Sequence, residues 1–94
     1  MESIDFQTEQ IENSLRARLA APISGITFEV QGKGDQLLID VQLAERLDAA
    51  LLDDDRLTAQ EVIVPLLKND NCGWMVVFTY GGTVIESIFS DNAI

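Results

Sequence analysis

Two adjacent glycines near the C-terminus constrain the fold of this chain more than any other feature of its sequence. Gly81 and Gly82 join an apolar run, residues 74–80, to a second one, residues 83–90. A two-residue type I′ turn needs positive φ at both central residues, which glycine adopts without steric cost. The sequence therefore predicts a β-hairpin with strands at residues 74–80 and 83–90.

The predicted turn also sets a register for this hairpin. Tyr80 faces Thr83, and regular pairing then places Phe78 opposite Ile85. One face of the hairpin would carry Met75, Val77, Thr79, Val84, Glu86 and Ile88, and the other Trp74, Val76, Phe78, Tyr80, Ile85 and Phe89. Both faces are largely apolar, unlike those of a sheet covered on one side only. Either the strands are buried within the domain, or a partner covers one face.

The N-terminal third predicts a helix followed by a second hairpin. Apolar residues four apart, from Ile11 to Leu19, predict a helix over residues 5–21 that Pro22 ends. Alternation then predicts strands at residues 26–30 and 37–43. Their core face would carry Ile26, Phe28, Val30, Leu37, Ile39, Val41 and Leu43, and their wet face Thr27, Glu29, Asp40 and Gln42.

Residues 44–67 contain less regular signals. Leucines four apart predict a helix over residues 44–52, which the carboxylates of residues 53–55 would stop because they oppose the dipole of a helix C-terminus. A capping-box pattern starting at Thr58 predicts a further helix, which Pro65 would kink or shorten. The alternative is a short strand over residues 61–64, where β-branched residues cluster.

These elements predict one α+β domain over residues 1–94. Their order is α-β-β-α-α-β-β, with helices packed on an antiparallel sheet of about four strands. The chain has 94 residues, which suits a single domain.

The charge of the chain excludes several classes of partner. Sixteen acidic residues against six basic ones give a net charge of −10, and the basic residues are scattered. We therefore expect no direct binding to nucleic acid and no binding to an anionic membrane surface. The acidic N-terminal residues lack the pattern of a signal peptide, so we expect a cytoplasmic protein.

Catalytic and metal-binding patterns are also weak. The chain has no histidine, which excludes imidazole bases and histidine metal ligands. Its single cysteine, Cys72, has only Lys68 nearby as an activator. We expect a protein that is not an enzyme and that uses no cofactor or metal.

Two functions have candidate residues of their own, and a small-ligand pocket between the sheet and the helices is a further alternative. The first is a small non-catalytic interaction module, such as a subunit, adaptor or assembly factor, which binds another protein or a second copy of itself. It would use the sheet edge and the apolar hairpin face, namely Met75, Val77, Val84, Glu86 and Ile88. The second is an acidic inhibitor or immunity protein that blocks a basic nucleic-acid-binding cleft by mimicking phosphates. It would use Glu45, Asp48, Asp53, Asp54 and Asp55, the first two on one face of the predicted helix.

Overall fold

A computed structural model describes the backbone of residues 2–32, 36–67 and 73–90, and the side chains of these ranges from residue 8 onward. The helices are α1 (Glu2–Arg18) and α2 (Asp53–Leu67), and one turn of 3₁₀ helix, Ala49–Leu52, precedes α2. The strands are β1 (Ile23–Gln31), β2 (Gln36–Leu43), β3 (Gly73–Tyr80) and β4 (Thr83–Phe89). The predicted α+β class and the four strands are confirmed.

The four strands form one sheet in the order β1-β2-β3-β4. The outer pairs, β1 with β2 and β3 with β4, are antiparallel, while the central pair, β2 with β3, is parallel. The sheet is therefore mixed rather than wholly antiparallel. The parallel pair exists because α2 carries the chain from the end of β2 back to the start of β3.

The core lies between one face of the sheet and the two helices. Central strands supply Ile39, Val41, Val76 and Phe78, all with no exposed surface. The helices supply Ile11, Leu15, Ala59 and Ile63, which are equally buried. We call this side of the sheet the helix-covered face and the other side the open face.

The strands of the N-terminal hairpin have the predicted core face. Phe28 lies opposite Ile39, and Val30 lies opposite Leu37, so the predicted core residues share the helix-covered face. The pairing continues one step beyond Leu37 to Gln31 and Gln36. The turn residues 33–35 lie outside the described part of the chain.

The prediction of a helix over residues 44–52 is wrong. Residues 44–48 are irregular, and only the 3₁₀ turn follows them. Residues 53–55 begin α2 instead of ending a helix, so the start predicted at Thr58 is five residues late. Carboxylates are favourable in the first turn of a helix, where they face the positive end of its dipole.

The helical alternative for residues 58–67 is confirmed over the short strand. These residues are the second part of α2, and Pro65 lies in its last turn. Proline removes one backbone hydrogen bond from a helix interior. The loss affects only the end of α2, because the helix stops two residues later at Leu67.

Helix α1 ends at Arg18, three residues before the predicted end. The reason is a side chain from α2. The two carboxylate oxygens of Asp55 accept the backbone N–H groups of Ala20 and Ala21, each at 2.9 Å. Those N–H groups would otherwise continue the helical hydrogen bonds, so Asp55 ends the helix before Pro22 can.

The turn of the C-terminal hairpin agrees with the prediction. Gly81 and Gly82 have φ values of +60° and +85°, as a type I′ turn requires. Tyr80 lies opposite Thr83.

Beyond the turn, the register of the hairpin differs from the predicted one. Phe78 lies opposite Glu86 because Ile85 is an extra residue that forms a β-bulge in β4. A shift of one residue exchanges the two faces of the strand that follows. Glu86 and Ile88 therefore lie on the helix-covered face, and the prediction that placed them beside Met75 is wrong.

Candidate functional site

The open face of the sheet carries a group of apolar side chains at its centre. Leu38 on β2, Met75 on β3 and Phe89 on β4 lie opposite one another and form a row across three strands. Val77 lies on the same face in the next row, and Val84 lies in the row after it, opposite Thr79. We call these five side chains, Leu38, Met75, Val77, Val84 and Phe89, the apolar patch.

Neither helix covers the apolar patch. Phe89 is 59% exposed, Val84 56% and Met75 38%. On the opposite face of the same hairpin, Val76 and Phe78 have no exposed surface. Exposure of neighbouring large apolar side chains is typical of a surface that binds another molecule.

A polar, hydrogen-bonded group on β2 and β3 lies beside the apolar patch. The Thr79 hydroxyl donates to Asp40 Oδ1 at 2.7 Å, and Gln42 Nε2 donates to Asp40 Oδ2 at 3.4 Å. Thr79 is 7% exposed, so this bond is shielded from water. The bonds fix the Asp40 carboxylate beside Val77, its cross-strand neighbour on the apolar patch.

The outer edge of β4 is guarded by its own side chain. Ser90 N–H donates to Trp74 O at 3.0 Å, so by alternation the N–H of Ser87 points away from β3, toward the free edge. Glu86 Oε1 accepts that N–H at 3.0 Å. Bulges and charged side chains both oppose pairing at sheet edges, and β4 has one of each. The open face, rather than this edge, is therefore the accessible surface.

Three of the five residues that we predicted for the apolar hairpin face lie together on the open face. They are Met75, Val77 and Val84. Glu86 and Ile88 lie on the other face, where Arg56 Nη1 of α2 is 4.0 Å from Glu86 Oε2.

Sequence reasoning missed Leu38 and Phe89. Leu38 interrupts the apolar–polar alternation of β2 as a leucine on the wet face, and this irregularity was the available signal. Phe89 was assigned to the wrong face because no feature of composition marks the bulge at Ile85.

The candidate acidic residues do not lie on one face of a helix. Glu45 and Asp48 are exposed in the irregular segment after β2, so the prediction that a helix aligns them is wrong. Asp53 and Asp54 are exposed in the first turn of α2. Asp55 is only 3% exposed and bonds to the end of α1, so it is a structural residue and cannot meet a partner there.

Two concave sites lie in the described part of the chain. A cleft of about 260 Å³ lies between residues 46–49 and the end of the C-terminal hairpin, with Tyr80 in its wall. A wider depression of about 460 Å³ lies on α2, beside Leu57, Val64 and Pro65. Drug-sized ligand pockets are usually about 300–1,000 Å³, so the cleft is below this range and the depression is within it. Within residues 8–32, 36–67 and 73–90, no three His, Cys, Asp or Glu side chains are grouped to hold a metal ion. Cys72 and Lys68 lie outside the described residues.

None of the described helices is long and apolar enough to cross a membrane. Comparison with known proteins gives no match: no family model, no curated protein and no solved structure shows significant similarity to this chain.

Proposed function

We propose that this protein is a small, acidic, non-catalytic interaction module that binds another protein, or a second copy of itself, through the open face of its sheet. One observation supports this function above the others. The apolar patch is contiguous across β2, β3 and β4, and three of its members are between 38% and 59% exposed. Covering these side chains would remove apolar surface from water, which favours association.

The surroundings of the patch support binding on the face. The bulge and Glu86 guard the neighbouring edge, so strand addition at β4 is opposed there. The hydrogen bonds of Asp40 hold the polar border in one arrangement before any partner arrives. A surface that is already ordered loses less conformational entropy on binding. The net charge of −10 argues against nucleic acid and anionic membranes as direct partners.

Two matched substitutions test this function. Phe89 and Leu57 are both 59% exposed, but Phe89 lies on the open face and Leu57 on α2. We expect Phe89→Ser to lower the affinity for partners captured from host lysate by about tenfold or more, as is typical when a central contact is truncated. Leu57→Ser should leave the affinity unchanged.

The controls are folding and solution mass. Both variants should keep the melting temperature of the parent within a few degrees, since exposed substitutions change stability little. Sedimentation of the purified parent chain at several concentrations distinguishes a second copy from a foreign partner. Equal capture by the parent and by Phe89→Ser would show that the apolar patch is not the binding surface.

The second candidate function is the acidic inhibitor or immunity protein. It retains four exposed carboxylates, those of Glu45, Asp48, Asp53 and Asp54. Among the described residues only Asp53 of these four forms an ion pair, with Arg56 at 3.5 Å. A captured partner that moderate salt releases from the parent, and that Phe89→Ser still binds, would favour this function over the apolar patch.

A further inference from the structure

The charged strand residues beside the apolar patch are both acidic. Glu29 on β1 lies opposite Leu38 and ends the row that runs through Met75 to Phe89. Asp40 lies opposite Val77 in the next row. Among the described cations, Arg16 and Arg18 lie on α1 and Arg56 lies on α2, whereas Arg46 lines a cleft that Val84 also lines, at one end of the patch. The described strands thus give the open face an apolar side and an acidic side, and they carry no positive charge themselves.

The width of the apolar patch matches one helix. Its members lie on three neighbouring strands, and strands are spaced about 4.8 Å apart, so the patch is about 10 Å wide. An α-helix with its side chains has a diameter of about 10–12 Å. One helix lying along β3 would cover the patch, with one of its sides above Glu29 and Asp40.

A helix in this position would also complete a common architecture. Helices α1 and α2 already cover the opposite face of the sheet. Sheets with helices on both faces form stable three-layer domains. The central pair of this sheet is parallel, and sheets that are wholly parallel are covered on both faces.

We propose that the occupant of the open face is an amphipathic helix of a different, basic protein, with an apolar face on the patch and Lys or Arg along the side that meets Glu29 and Asp40. This inference rests on the proposed interaction function and names the chemistry of its partner. A second copy of this chain fits less well, because each copy carries a net charge of −10 and brings the same carboxylates to the contact.

Two synthetic peptides are the probes for this inference. Both have about 18 residues, long enough for a stable helix, with leucines on one face. The remaining positions are mostly lysine in one peptide and mostly glutamate in the other. Each is titrated into isotope-labelled full-length chain while the backbone amide signals are followed by NMR. We expect the lysine peptide to shift signals from β2, β3 and β4 on the open face, and the glutamate peptide to shift none.

Charge-reversal variants separate a positioned acid from the general charge of the molecule. Glu29→Lys and Glu45→Lys change the net charge equally, but only Glu29 borders the apolar patch. We expect Glu29→Lys to weaken binding of the lysine peptide about twofold to fivefold at low salt, the effect of one exposed ion pair. Glu45→Lys should have a smaller effect.

The outcomes distinguish this inference from the proposed function. Equal binding of both peptides, equal effects of both reversals, or no open-face shifts with the lysine peptide would overturn the basic-helix partner. If Phe89→Ser still loses the lysate partner while Leu57→Ser keeps it, the interaction function survives that failure. If neither of those variants changes capture, the interaction function itself fails.

Discussion

Asp55 shows how much one buried carboxylate decides in this protein. It is one of three consecutive aspartates, yet it alone of the three is buried, and its two oxygens hold the chain between α1 and β1. Two N–H groups bonded to one carboxylate are charge-assisted contacts, which are stronger than neutral ones. The residue therefore connects α2 to the end of α1.

Replacing Asp55 should destabilise the fold without touching the open face. We expect Asp55→Ala to lower the free energy of unfolding by about 2–4 kcal/mol, because two N–H groups lose their acceptors. The exposed neighbour provides the control: Asp54→Ala should cost less than about 1 kcal/mol, the scale of a dipole interaction at a helix start. Urea unfolding followed by circular dichroism measures both, and equal losses would show that the bonds to Ala20 and Ala21 contribute little.

At the scale of single residues, the sequence predicted the positions of residues in a repeating pattern well. It predicted poorly the residues whose role depends on one specific contact. Phe28 and Ile39 were placed correctly because alternation repeats along a strand and averages over many positions. Asp55 was not, because nothing in three adjacent aspartates distinguishes the one that faces the end of α1. Leu38 is intermediate, since its break in the pattern is visible but its meaning depends on what lies beside it.

In strand β4, a β-bulge and one carboxylate act together at the edge of the sheet. Its bulge at Ile85 sends Glu86 toward the helices, and from there the carboxylate bends back to the outward N–H of Ser87. An unguarded apolar edge strand is a template for pairing with other chains. The bulge and the carboxylate together make this edge unreceptive.

Removing the acceptor of Ser87 N–H should make the chain associate through this edge. We expect Glu86→Val to self-associate over a concentration range in which the parent's solution mass stays constant, because Ser87 N–H becomes free to pair with another chain. Glu86→Gln is the matched control, since its amide oxygen can still accept that N–H, and it should behave as the parent does. Sedimentation velocity across a hundredfold range of concentration compares the three chains, and an unchanged mass for Glu86→Val would refute the guarding role.

Elements were predictable where the signals were local. The glycine pair placed one turn, and alternation placed the strands of the other hairpin, because both depend on neighbours in sequence. The helix predicted over residues 44–52 failed for the opposite reason. Leucines four apart describe a helix face, but here Leu43 is buried at the end of β2, Leu47 is half-buried and Leu51 is 68% exposed. The bulge was not predictable, because an extra residue in a strand leaves no mark in composition.

The whole molecule combines a high negative charge with a small folded structure. Its net charge is −10 over 94 residues, and the described ion pairs are mostly at the surface. Exposed pairs contribute about 0–1 kcal/mol each. Mutual repulsion of the excess carboxylates therefore opposes the compact state.

Low concentrations of salt should consequently stabilise the fold. We expect the melting temperature to rise by several degrees between about 10 and 150 mM NaCl, as the Debye length falls to about 8 Å and screens the carboxylates. Asp54→Lys carries less excess charge and should show a smaller rise. Differential scanning calorimetry measures the effect, and a melting temperature that falls with salt would mean that the ion pairs outweigh the repulsion.

At the scale of the molecule, the sequence predicted the fold class and the number of strands but not how the two hairpins join. Each hairpin closes through short loops, so its pairing follows from adjacent residues. The parallel contact of β2 with β3 depends on the path of α2 across the sheet, a long-range choice that no short pattern specifies. Predicting the open face requires both the pairing within each hairpin and the pairing of β2 with β3, because the apolar row passes from Leu38 on β2 to Met75 on β3.

The bulge at Ile85 also governs how the gene for this protein could change in length. Successive side chains of a strand point to opposite faces of the sheet. The loss or gain of one codon therefore ordinarily moves every later side chain of the strand to the other face. Ile85 is the extra step in β4: without its codon, Val84 would still lie opposite Thr79 and Glu86 opposite Phe78. A deletion of Ile85 would leave Phe89 on the open face and Ile88 on the helix-covered face. Loss of a single codon at Ile85 is therefore a change in length that this strand could absorb without exchanging its two faces.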